Sequence, residues 1–197
     1  RFWLMIVLMC LASMTGIMFV GALSGIAQAQ LGVGTAAASW IVGISALANF
    51  VGRMGFGRVC DRLSEAKTVL IILVVTILSL FVMRNAFTIP MFIVCLIFIG
   101  AAFGGVLVCF PPFTQKVFGM ENSGVNYGIM FLGYASGSYF GPQIAAKTKM
   151  LGPDGAVMAT SYANAYSIAI AVGVAGIVVC FLLMYVKDRY AKQAKAA

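Results

Sequence analysis

The chain contains no histidine, and only five of its residues are acidic. Asp61, Glu65, Glu121, Asp154 and Asp188 all fall at the ends of apolar runs or between them, so no buried acid is expected. Without imidazole or an intramembrane carboxylate, the apolar segments offer no general acid, base or nucleophile-activating pair, which weighs against a membrane enzyme. Cysteine is sparse too. Cys10, Cys95, Cys109 and Cys180 lie within apolar runs and Cys60 at the end of one, with no CxxC spacing. They read as small packing residues, not disulfides or metal ligands, and neither a metal nor a cofactor is expected. Charge of either sign is scarce: 9% of residues, against roughly 25% in an average soluble domain.

What the sequence has is apolar surface. Hydrophobic residues make up 62% of the 197, and the mean hydropathy is +1.05. A soluble chain of this size could not keep such a surface wet, so the composition predicts an integral, all-α membrane protein. The net charge of +8 sits between apolar blocks, where membrane topology explains it and nucleic acid is not implied. A spanning helix needs about 20 apolar residues. Segments at roughly 2–30, 36–58, 67–84, 88–113, 123–146 and 161–186 qualify, followed by a basic tail at 187–197. The breaks carry turn chemistry: LGVGT with Thr35 as N-cap, charged CDRLSEAK, then RNAFT, GMENS and KTKMLGPDG. The first run is too long for a signal peptide and has no cleavage pattern. Arg1 stands where an initiator methionine would, which reads as a fragment or a processed piece.

Six spans put both ends on one side. That side receives Arg1, Arg58, Arg62, Lys67, Lys116, Lys187, Arg189, Lys192 and Lys195; the other receives Arg84, Lys147 and Lys149. The positive-inside rule therefore predicts cytoplasmic termini in an inner or plasma membrane. The tail suits anionic headgroups. Trp40, Tyr162 and Tyr166 read as interfacial anchors. Gly100 with Gly104, and Gly133 with Gly137 and Gly141, are spaced by fours. That spacing suits close helix packing, though small residues also line cavities. FPPF at 110–113 predicts an end or a kink.

Arg53 belongs to neither face. It lies roughly 12 Å along a helix from Asp61, inside the hydrocarbon, where an ionised group costs at least a few kcal/mol unless paired or wet. It either snorkels and holds helices together, or faces a wet cavity and binds an anion. The spans supply no buried acid to pair with it, and a guanidinium grips carboxylates with two parallel bonds. Asn49, one turn earlier on the same face, adds an amide beside it. These features favour an anion site.

The run GRVCDRLSEAK resembles the loop signature of major facilitator transporters: Gly57, Asp61, Arg62 and Lys67 match, while Ser64 and Glu65 depart from it. In such proteins this loop recurs once per six-helix half, and its charges latch helix ends, so a gating role is implied here; the plainer alternative is a topology signal. RFW, the Asn49–Arg53 pair, KVFG at 116–119 and NYG at 126–128 are together similar to the second half of the oxalate:formate antiporter and monocarboxylate transporter branch. The resemblance implies helices seven to twelve of a twelve-helix carrier. It would work with an amino-terminal six-helix half, by alternating access, on a small organic anion. It also implies that Arg53 binds the substrate carboxylate, and that Phe103 and Phe131 wall the cavity, ordinary packing being the alternative for both. Where the oxalate antiporter carries a second cation, a lysine, this chain has Tyr134. One arginine balances a monocarboxylate (lactate, pyruvate, glycolate, formate or acetate), and the Tyr134 hydroxyl can donate to it. An oxalate dianion would need a lysine from the other half. Proton symport and anion exchange both stay open, as do an anion channel and a non-transporting scaffold. GVGTAA at 32–37 loosely resembles a dinucleotide loop, but it follows an apolar run rather than a strand and is set aside.

Overall fold

The computed structural model describes residues 2–150, 158 and 160–196. They form α1 (Phe2–Val20), α2 (Leu23–Leu31), α3 (Thr35–Arg62), α4 (Glu65–Met83), α5 (Ile89–Phe118), α6 (Ser123–Lys147) and α7 (Ala163–Ala196). The helices α1, α3, α4, α5 and α7 (through Val186) are long and apolar enough to cross a membrane. The 25 residues of α6 are diluted by glycine, serine and tyrosine. Lys187–Lys195 and Asp188 lie in the continuation of α7, with side chains outside the described residues, as are Arg1 and Asp154.

The first expected span is two helices. The break falls at Gly21 and Ala22: the Gly21 N–H still donates to the Ile17 carbonyl four residues back (2.9 Å), but the Ala22 N–H donates to the Phe19 carbonyl three back, at 3.1 Å. Pro142 of α6 presses here, its Cγ 3.2 Å from where a Gly21 Cβ would stand. A glycine without side-chain packing of its own yields most readily at such a point. Gly32 then ends α2 in the left-handed region (φ 64°), its N–H closing on the Gln28 carbonyl. The N-cap of α3 is Gly34, not Thr35, which is already helical.

Two further expectations are corrected. Of the end or kink expected at FPPF, the end does not occur: α5 runs through Pro111 and Pro112 to Phe118. Phe110 and Phe113 on either side are fully buried, and this packing holds the segment helical despite the lost N–H donors. CDRLSEAK is mostly helix, since α3 extends to Arg62 and α4 starts at Glu65, leaving Leu63 and Ser64 as the connector.

The glycine spacing is a packing signal in both helices. A Cβ on Gly100 would lie 2.9 Å from the Ser45 carbonyl, and one on Gly104 would collide with the Asn49 carbonyl, both in α3. Gly133, Gly137 and Gly141 meet the backbone of α1 in the same way. The pairs α3–α5 and α1–α6 therefore lie backbone to backbone. The apolar core divides into two clusters. One gathers Phe19, Leu23, Ile26, Leu80, Phe92 and Tyr166; the other gathers Met5, Leu8, Ile72, Phe110, Phe113 and Leu183. Small and polar residues, including Ser13, Thr15, Gly16, Ser45 and Thr76, are buried as well.

The first cluster is closed by a buried polar clasp. The Gln30 Nε2 donates to the carbonyls of Met83 (2.7 Å) and Ala86 (2.9 Å) at the end of α4, and Gln30 Oε1 accepts from the Tyr166 hydroxyl (2.9 Å). Tyr162 and Tyr166 are thus buried, not interfacial anchors; burying Tyr166 is possible because its hydroxyl has this partner. Trp40 is 79% exposed.

Candidate functional site

The site begins with the crossing of α3 and α5. Gly52 and Gly104 remove side chains from this contact: a Cβ on Gly52 would strike the Ala101 backbone, and one on Gly104 would lie 3.2 Å from the Arg53 amide nitrogen. With Gly52 turned into the contact, the next residue is rotated about 100° away from it by the 3.6-residue turn. Arg53 is accordingly exposed, while Gly52 is buried. Close backbone packing thus aims the guanidinium away from its own bundle.

The Arg53 Nε–H donates to Asn49 Oδ1 at 3.1 Å. One turn of helix supplies this bond, and it fixes the side chain while leaving the paired Nη groups outside it. Among the described residues the ion pair is Lys116–Glu65, and Arg53 has no carboxylate partner. A permanent cation held by an amide alone can accept an anion without first breaking an ion pair.

Asn49 also lines a cavity of about 230 Å³ with Val20, Val42, Ser45, Ala46 and Phe103. The Phe103 ring is set against α1, its Cδ2 2.6 Å from where a Gly16 Cβ would stand, so only glycine admits the ring there. Across the cavity wall, Phe103 stacks on Tyr134 (centroids 6.4 Å, planes 21° apart), and Tyr134 stacks on Phe131 (4.7 Å, 29°). The five residues singled out from sequence are therefore connected. Arg53 holds Asn49, Asn49 and Phe103 share a cavity, and Tyr134 and Phe131 continue from Phe103. Tyr134 reaches the cavity through Phe103 rather than through Arg53.

Tyr127 was not foreseen as a member. It packs edge-on against Phe131 at 5.7 Å, and with Phe131 and Tyr134 it completes an i, i+4, i+7 stripe on α6. That spacing was readable in NYGIMFLGY and is its signal.

Gly57, Asp61, Arg62 and Lys67 do not converge on this site. Gly57 lies against Val108 of α5, 3.3 Å from its Cγ1 by the same Cβ measure, and the three charged residues are exposed at the end of α3 and the start of α4. Their neighbour Glu65 corrects the expectation of no buried acid: its side chain is 10% exposed and paired with Lys116 of α5 at 3.2 Å. Fifty-one positions separate the two in the chain, so no local pattern announced the pair. At the opposite end, Arg84 Nη1 donates to Ser167 Oγ at 3.1 Å, tying α4 to α7.

Residues 2–197 match the family described as Major Facilitator Superfamily. Over 142 residues the chain is 30% identical to the "Uncharacterized MFS-type transporter YhjX" of Escherichia coli (strain K12). The matched stretch covers 70% of this chain and 35% of that protein, so the chain spans about a third of the length of the relative it matches.

Proposed function

The chain belongs to the major facilitator superfamily, and from that premise we propose that it forms the carboxyl-terminal six-helix half of a secondary transporter for small monocarboxylates, in which Arg53 binds the carboxylate. Membership accounts for a transporter rather than an enzyme. The observation that carries the finer reading is the Arg53 guanidinium, fixed by Asn49 beside a cavity and without a carboxylate partner among the described residues. An arriving carboxylate neutralises it, and the wall formed by Phe103, Tyr134 and Phe131 lowers the dielectric in which the pair forms.

In this reading α6 also crosses, fifth in chain order, and brings the crossings to six; its 25 residues reach about 38 Å, enough for a hydrocarbon core. The amino-terminal half faces the exposed side of α3 and completes a midplane site between the two halves. Both termini are cytoplasmic, so Glu65–Lys116 and the Gly57–Lys67 run lie on that side. Exchange needs only the anion; symport would draw its proton with the substrate or from the other half. One arginine and no lysine on this side favours a monoanion over oxalate, and Tyr134, stacked on Phe103, is read as a further donor.

The test is uptake of labelled lactate, formate and oxalate into proteoliposomes holding the intact transporter, wild type beside Arg53→Gln. Saturable monocarboxylate uptake, stimulated by internal substrate and lost in Arg53→Gln, is the expected result. Uptake unaffected by the substitution would make Arg53 structural. Oxalate preferred over lactate would overturn the monoanion assignment, and unitary conductance steps would make the protein a channel.

A further inference from the structure

Val42, Ser45, Ala46, Asn49 and Arg53 fall at i, i+3, i+4, i+7 and i+11, a single stripe along α3. Its chemistry changes along its length. The cation is at one end, with the Asn49 amide beside it. Val42 and Ala46 are at the other, where Val20 and Phe103 complete the cavity. Between Asn49 and Val42 the stripe runs about 10 Å along the helix axis. Apart from Ser45 and Asn49 itself, every side chain lining this cavity is apolar, so beyond the amide it has little with which to hydrate a polar ligand.

An anion bound at Arg53 with nothing beyond its carboxylate would leave that apolar space unused. We infer that the substrate is an amphiphilic monocarboxylate whose hydrocarbon tail extends from Arg53 along the α3 stripe into the Val20–Val42–Ala46–Phe103 cavity, so that short aliphatic acids are taken in preference to formate. The inference rests on Arg53 as the carboxylate-binding residue and adds the direction and chemistry of the rest of the molecule. The carboxylate end supplies orientation through charge, and the tail supplies selectivity through burial. Ala46 is the pivotal lining residue: it is exposed within the chain, and a larger side chain there enters the cavity without displacing a packed neighbour.

The experiment is a chain-length series (formate, acetate, propionate, butyrate, valerate) competing for uptake in proteoliposomes of the intact transporter. Wild type, Ala46→Leu and Arg53→Gln are compared. In wild type, transport efficiency should rise about fourfold for each methylene that enters the cavity. Ala46→Leu should reverse this order, lowering the valerate-to-acetate ratio at least tenfold. Efficiency that is flat or falls with chain length in wild type, while Arg53→Gln abolishes uptake, would overturn the tail assignment and leave the carboxylate reading standing. Uptake that survives Arg53→Gln would overturn both.

Discussion

Arg53 and Asn49 differ in what each contributes, and substitutions can separate them. Arg53→Lys keeps the positive charge but loses the planar fork, so transport should fall at least about tenfold while the protein stays folded. Asn49→Asp is the sharper test. It puts a carboxylate 3.1 Å from the guanidinium, where the amide oxygen now stands. A resident anion would then compete with the substrate. KM should rise steeply or uptake vanish, while the melting temperature holds or climbs. A protein in which Arg53 were only a structural tie would show the gain in stability with no loss of uptake. At this scale much of the candidate site was readable. A lone arginine in an apolar run with an amide one turn before it is a local pattern, and so is the aromatic spacing on α6. The Glu65–Lys116 pair was not readable, because it joins residues from two helices whose approach is set by tertiary packing alone. Its two ends should respond unequally. Lys116→Ala strands a nearly buried carboxylate, whereas Glu65→Gln leaves behind a lysine already 58% exposed, so thermal unfolding should shift further for the first.

Among the elements, α3 and α5 depend on small residues for their contact. Their backbones meet at Gly52 and Gly104, and the guanidinium's direction follows from that contact. Gly104→Leu should force the pair apart, with a loss of about 1–3 kcal/mol in stability, read as a lower melting temperature in detergent. Uptake should suffer more than stability does, because the wedge displaces the helix that carries Arg53. The glycine spacing announced this contact without saying which partner each helix would choose. The break at Gly21 went unforeseen for a related reason. Gly21 lies in an unbroken apolar run, and the residue packed against the break, Pro142, comes some 120 positions later. The two prolines of FPPF misled in the opposite direction, since buried phenylalanines on both sides keep α5 helical.

For the molecule as a whole, the broad architecture is legible because it rests on one constraint: in lipid, backbone groups must be satisfied within the segment, so long apolar runs become helices. The division of the core into two clusters is not legible, since every helix is apolar along most of its length and periodicity cannot say which stretch meets which neighbour. The Gln30 clasp was equally hidden, being a glutamine inside an apolar run whose partners lie more than fifty positions away. That clasp bears on how the protein is made. While α1 and α2 have left the ribosome but α4 and α7 have not, the Gln30 amide has neither the carbonyls of Met83 and Ala86 nor the Tyr166 hydroxyl. The first become available when α4 is synthesised and the last only with α7. The amino-terminal part of this bundle must therefore wait, incompletely satisfied, for its carboxyl-terminal helix. Gln30→Leu should relieve that wait while taking from the Ala86 carbonyl and the Tyr166 hydroxyl their Gln30 partner in the finished protein. In pulse-chase labelling, the nascent bundle should reach protease resistance sooner, and the mature one should lose it at a lower temperature.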